Sequence, residues 1–170
     1  MIRHLKALVW PLLLLACAGC SHYRLGPGSE TTFATLHVAP VIMRTLVPQA
    51  EPIIGTQLRE AFVRDGRIQL VNSPEAADAT LQLTVRDYRR DIATVRPGDT
   101  GLARKFTVTL QAEATLVDNR TGVVLFQDRP VIVRRDLFTD AGQLQAEYQL
   151  LPQLAQDLAA RTAHAVLDTW

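Results

Sequence analysis

The sequence predicts an α+β fold, a two-layer sandwich in which two α-helices pack on one face of a mixed four- to five-stranded β-sheet. Three observations lead there. Residues 106–116 keep an unbroken period of two, Phe106, Val108, Leu110, Ala112, Ala114 and Leu116 against Thr107, Thr109, Gln111, Glu113 and Thr115, which is a long strand with one wet face. Two other stretches space their apolar residues as amphipathic helices do. The elements then follow in the order strand, helix, strand, three-strand meander, helix, which one helical layer on one sheet accommodates.

Taken in order, residues 35–41 alternate Leu36 and Val38 against His37 before Pro40, as in a half-buried strand that ends early or lies at an edge. His37 is expected to face solvent. Pro48 and Pro52 precede a helical stripe of Ile54, Leu58, Ala61 and Phe62, with Arg64 in the last turn and Gly66 just past the end. Ile68, Leu70 and Val71 form a short strand, and residues 72–75 (Asn-Ser-Pro-Glu) form a loop. Leu81, Leu83 and Val85 alternate with Gln82, Thr84 and Arg86, but Tyr88 and Ile92 fall in the opposite phase. A bulge or twist near Asp87 is therefore expected. Residues 96–101 (Arg-Pro-Gly-Asp-Thr-Gly) mark a turn into the long strand, and residues 118–122 (Asp-Asn-Arg-Thr-Gly) turn it into a last strand over 123–135. Pro130 requires that strand to be an edge or to break. Asn119-Arg120-Thr121 fits a glycosylation sequon and reads here as turn chemistry. Thr139 or Asp140 can cap the final helix, with Gln143 completing a box from Asp140. Its stripe is Leu151, Leu154, Ala155, Leu158, Thr162, Ala165 and Val166, interrupted by Pro152, where a kink or a fresh helix start is expected.

Ahead of this domain stands a different kind of segment. Arg3, His4 and Lys6 lead into an apolar run ending in Ala18-Gly19-Cys20-Ser21. A basic start, a short apolar core and a small-residue cleavage site describe a secretory signal, too short for a membrane span. The small pair before cysteine resembles the bacterial lipobox, with Cys17 where Leu or Val is usual. That resemblance implies cleavage before Cys20 and lipid attached to it, and Ser21 rather than Asp implies the outer membrane. A plain secreted protein cut near Ala16 or Ala18 is the other reading. The chain thus divides into a signal peptide over 1–19, a lipidated N-terminus and tether over 20–30, and a single domain over 31–170. More than one acyl chain holds a protein firmly on a membrane.

The 170 residues carry a formal net charge of +1, and loss of Arg3 and Lys6 with the signal brings it to −1. No bulk charge points to nucleic acid. About 150 residues remain, one domain by size and large enough to bury a core without metal or disulfide. The two cysteines, Cys17 and Cys20, leave none for a bridge.

A nucleophile elbow, a Walker loop and H-E-x-x-H are all absent, and His4, His22, His37 and His164 lack ligand spacing. The chain is expected to be neither an enzyme nor a cofactor protein. One feature stands out: from Arg86 to Arg135 there are ten Lys or Arg against six Asp or Glu, with Arg89, Arg90, Arg96, Arg104 and Lys105 flanking one turn. Such a group can meet phosphate or carboxylate. It can equally be a solvated strand face in an arginine-rich chain, since only Lys6 and Lys105 are lysines.

Several stretches in sequence resemble the lipopolysaccharide-assembly lipoprotein family LptE. They are Ala18-Gly19-Cys20 with Tyr23-Arg24-Leu25; residues 36–41 leading to Arg44-Thr45; Asp65-Gly66-Arg67 with Leu70-Val71; residues 73–79 entering Leu81; and Tyr88-Arg89-Arg90 before the long hairpin. The family often has Asn before the Arg-Thr pair where this chain has Met43, so no role of that asparagine is carried over. The resemblance implies a lipid anchor in the outer membrane facing the periplasm and a permanent β-barrel partner, LptD, which the domain plugs while lipopolysaccharide passes. It further implies lipopolysaccharide binding through basic residues, with Arg96 the best-matching position; Arg104 and Lys105 join it on charge and proximity. A structural or ligand-binding envelope lipoprotein without a barrel is the alternative reading, and a lipid-modified hydrolase the third.

Overall fold

A computed structural model describes residues 32–94, 105–138 and 143–168. Its elements are β1 (Thr35–Val38), β2 (Ile42–Met43), α1 (Ala50–Asp65), β3 (Gln69–Val71), a 3-10 turn (Pro74–Ala76), β4 (Ala79–Thr94), β5 (Lys105–Asp118), β6 (Val124–Phe138) and α2 (Gln143–Leu167). The sheet runs β3-β1-β4-β5-β6, with β2 also paired to β4. Pairs among β1, β2, β3 and β4 are parallel, and β4-β5-β6 is an antiparallel meander. The expected two-layer α+β fold is what forms, and the sheet carries one short strand beyond the four to five expected.

That extra strand follows from Pro40. β1 and β2 lie end to end along β4, with Val38 beside Leu81 and Ile42 beside Thr84. Proline has no N–H to give, so the ladder lapses around it. The Gln82 side chain donates to the Pro40 carbonyl at 2.9 Å across the gap.

On α1, Ala50, Ile54, Leu58 and Phe62 recur every four residues and are all buried. The helix stops at Gly66, whose left-handed backbone (φ 75°) lets its N–H reach the Phe62 carbonyl at 3.1 Å. On α2 the buried row is Leu151, Leu154, Ala155, Leu158, Ala159, Thr162, Ala163, Val166 and Leu167. Ala165, expected in that row, is only half-buried. α2 is one continuous helix from Gln143 to Leu167, so no fresh start occurs at Pro152. Pro152 is exposed, so its ring sits on the solvent side of the helix. The expected cap at Thr139 or Asp140 lies outside the described residues. Both helices cover the face formed by Leu81, Leu83, Val85, Val108, Leu110, Ala112 and Val133, and one apolar core joins the layers. No helix among the described residues is long and apolar enough to cross a membrane.

A polar knot fixes the end of the sheet beside the β5–β6 turn. The Asp78 carboxylate accepts the N–H groups of Ala34 and Thr35, both at 2.9 Å, while its own N–H donates to Thr35 Oγ1. Asn119 Nδ2 donates to the Pro74 and Ala77 carbonyls and to Thr80 Oγ1 at 2.8–3.0 Å. The N–H groups of Arg120 and Thr121 bind Asp118 Oδ1, and Gly122 (φ 71°) closes the turn onto the Asp118 carbonyl. Asn119 is thus occupied in turn chemistry, as its composition predicts.

Candidate functional site

The described basic residues of the meander divide between the two faces of the sheet, and on β4 a bulge decides the division. Register along β4–β5 slips between Val85 and Asp87, the place where the apolar phase changes in the sequence. One extra residue moves every later side chain to the opposite face. Arg90 therefore lies opposite Val108 on the helical face, where it pairs with Glu147 of α2, and Tyr88 turns inward beside Leu110. Burial, then the nearby Glu147 carboxylate, pushes the Tyr88 hydroxyl above its ordinary value. On β6, Arg135 joins Asp157 of α2 at 2.5 and 2.9 Å and Gln153 at 3.1 Å. Arg129 donates to the Ala165 carbonyl at 2.8 Å, satisfying an end of α2, and stacks over Phe126 at 4.1 Å. These three arginines fasten α2 to the sheet and are spent in doing so.

Arg86, Arg89, Arg134 and Lys105 occupy the other face, which no helix among the described residues covers. Arg86 bonds Glu113 at 2.6 Å, and Arg89 stands 3.4 Å from Asp91. Arg134 is exposed and makes no ion pair among the described residues. Arg89 and Arg134 are the cross-strand neighbours of Thr109, which is only 1% exposed although it sits on this uncovered face. The strand alternation marks Thr109 as polar and outward, and its enclosure depends on the register that brings two arginine stems alongside it.

Of the candidate basic residues, Lys105 is described and Arg96 and Arg104 lie outside the described residues, as does Cys20. Lys105 opens β5 on the uncovered face. Its Nζ is 2.9 Å from Asp136 Oδ2 and 5.7 Å from the centre of the Phe138 ring. The Lys105 ammonium bonded to it holds the Asp136 carboxyl below the usual carboxylate range. Lys105 is therefore a half-exposed cation with a partner it must share if an anion is to bind.

A groove of about 460 Å³ runs beside the C-terminal ends of α1 and α2. Arg67 dominates it, bonding Asp65 and Asp168 at 2.7 Å each, while His164 Nδ1 reaches Asp168 at 2.5 Å. Its charges are mutually compensated apart from Arg64, and it holds no activated nucleophile. No group of His, Cys, Asp and Glu among the described residues could hold a metal ion. His37 lies half-buried on the uncovered face, with Nδ1 3.3 Å from the Val71 carbonyl.

Two helices on one face of an open mixed sheet, with a polar second face and basic residues along a long hairpin, define a two-layer α+β domain. Residues 33–163 match the LptE family, described as lipopolysaccharide-assembly, and the chain belongs to that family. It is a family of non-enzymatic lipoproteins. Among solved structures, a protein from Xanthomonas campestris superposes with a TM-score of 0.59 at 15% identity, covering 85% of this chain and 88% of that one. A minor lipoprotein from Acinetobacter baumannii gives 0.54 at 18% identity, covering 80% and 92%. An uncharacterized lipoprotein B from Nitrosomonas europaea gives 0.52 at 17%, covering 85% and 86%. At these identities the likeness is one of fold. No curated protein matches the chain by sequence.

Proposed function

We propose that this chain is an outer-membrane lipoprotein of lipopolysaccharide transport, anchored through lipid on Cys20 and facing the periplasm. Residues 1–19 are its signal peptide and residues 20–30 its tether. It acts as plug and assembly partner of the LptD barrel. The observation that carries this reading is the family match across residues 33–163, nearly the whole domain. The uncovered sheet face and the basic β4–β5 hairpin suit a surface that borders the path of an anionic glycolipid, with Arg96, Arg104 and Lys105 as the proposed contacts.

Stoichiometric recovery of LptD with the chain from detergent extracts tests the partnership. A domain that anchors in the outer membrane yet never brings LptD with it is instead an envelope lipoprotein without a barrel. Intact mass of the wild type and of Cys20→Ser tests the anchor, the acyl mass being expected on the first and absent from the second. For the contacts, Arg96→Ala, Arg104→Ala and Lys105→Ala combined should weaken binding to purified lipopolysaccharide about tenfold at low salt, since charge-assisted phosphate contacts contribute about 1.5–3 kcal/mol. Salt should erase much of the difference. Undiminished binding by the folded triple variant removes these residues from the contact.

A further inference from the structure

β6 is a 15-residue strand at the border of the sheet, with β5 on one side and, among the described residues, no strand on the other. Its odd-numbered residues Val131, Val133 and Leu137 are buried under α2, so Ile132, Arg134, Asp136 and Phe138 line the uncovered face. Two observations fix which way the main chain of these even residues points. Pro130 stands in the same alternation and has no N–H to give β5. Arg161 Nη1 donates to the Ile132 carbonyl at 2.9 Å, from outside the sheet. In an antiparallel strand each residue turns both of its main-chain groups to one side, and alternate residues share that side. Arg134, Asp136 and Phe138 therefore present outward N–H and C=O groups that pair with no strand among the described residues, and such an edge is a template for another strand.

The order of side chains along that edge says what fits it. Read antiparallel to itself about Arg135, the stretch sets Arg134 opposite Asp136 and Ile132 opposite Phe138, and the second copy repeats both pairs. These are the positions whose main-chain groups point outward, so the Arg134–Asp136 pairs are also hydrogen-bonded pairs, and Arg161 must swing off the Ile132 carbonyl for the outer pairs to bond as well. The residues on the axis, Arg135 and its copy, are held back by Asp157 and Gln153 of their own α2. Phe138, 59% exposed, would gain an apolar neighbour in Ile132 of the other copy.

We propose that β6 is a self-complementary edge, through which two copies of this chain join their sheets antiparallel about a two-fold axis at Arg135. Such an isologous contact uses one patch twice and closes on itself. It spans only residues 132–138, well short of the roughly 1,200–2,000 Å² of a stable complex, so the dimer is weak and concentration-dependent. This inference is independent of the barrel reading.

The test is a charge exchange on the full chain purified in detergent, with mass read by light scattering from about 10 µM to 1 mM. The wild type should shift from monomer to dimer over that range. Arg134→Asp sets carboxylate against carboxylate and Asp136→Arg sets guanidinium against guanidinium, so each alone should weaken dimerisation about tenfold or more. Both together recreate the pairs in reverse and should restore it, which loss of folding could not do. Arg134→Pro, a proline two exchanges along from Pro130 in the same alternation, should block pairing while leaving the melting temperature within a few degrees. A wild type that stays monomeric throughout, or single variants that dimerise like it, overturns the proposal. So does a monomer whose Arg134→Asp variant loses LptD, which would give the edge to a different partner strand.

Discussion

Arg67 is the residue on which the two helix ends meet. It follows Gly66, which ends α1, and its guanidinium bridges Asp65 and Asp168 while its side chain is only 14% exposed. Hydrogen bonding to Arg67 holds both carboxyls below their ordinary range, against the opposing effect of burial. Arg67→Ala should lower stability by about 1–2 kcal/mol, allowing for partial exposure, and denaturant unfolding reads this directly. The pH dependence has a definite sign. A carboxyl whose folded pKa is depressed adds stability that is present above its unfolded pKa and is lost as pH falls through the folded value. The wild type should accordingly lose stability on acidification from about pH 5 downward, and Arg67→Ala should lose less over that interval. Parallel acid-unfolding curves for the two proteins would count against the bridge as a source of stability.

Pro152 gives α2 its least stable turn. A proline inside a helix deletes one main-chain hydrogen bond and crowds the carbonyl four residues back, at about 3 kcal/mol in a helix interior. Here it lies on the wet side of a helix otherwise anchored by Arg90, Arg129 and Arg135, and those anchors let α2 run through it. Pro152→Ala should therefore raise stability by about 1–3 kcal/mol in denaturant unfolding, and a decrease would mean the proline shapes a bend the core requires. Of the kink or fresh start expected at Pro152, the fresh start does not occur, because local propensity is outweighed by packing on both sides of it. The bulge beside Asp87 was legible, since Val85 and Tyr88 cannot both face a core without an extra residue between them. β2 was not, because a two-residue strand has no periodicity to detect. The division of the arginines was hidden for a related reason: the surplus can be counted in the sequence, but which face Arg90 or Arg135 takes follows from register.

For the domain as a whole, the described residues include no cysteine and no metal-binding group, and one continuous core joins both helices to the sheet. Its melting temperature should be unchanged by chelator or reductant, and a fall of several degrees with either would reveal a cross-link or ion on which folding depends. The candidate site was legible only in outline. Lys105 is placed on the uncovered face by the strand period, yet its engagement with Asp136 requires the β5–β6 pairing, which no single-strand pattern specifies.

The position of β1 has a mechanical consequence. It is the first strand of the domain, yet it lies between β3 and β4 and is parallel to both. If Cys20 carries the anchor proposed above, a tug between membrane and domain enters ahead of β1. Force along the strand loads its bonds to both neighbours together, in shear, whereas a border strand pulled the same way would load its bonds to one neighbour alone. Beyond the Arg120–Thr32 carbonyl bond and the buried Phe33, the Asp78 carboxylate grips the N–H groups of Ala34 and Thr35 and fastens the start of the strand. In single-molecule pulling from the N-terminus, Asp78→Ala should let β1 yield at lower force than the wild type. An unchanged force distribution would mean that the tether's load is borne further along the strand.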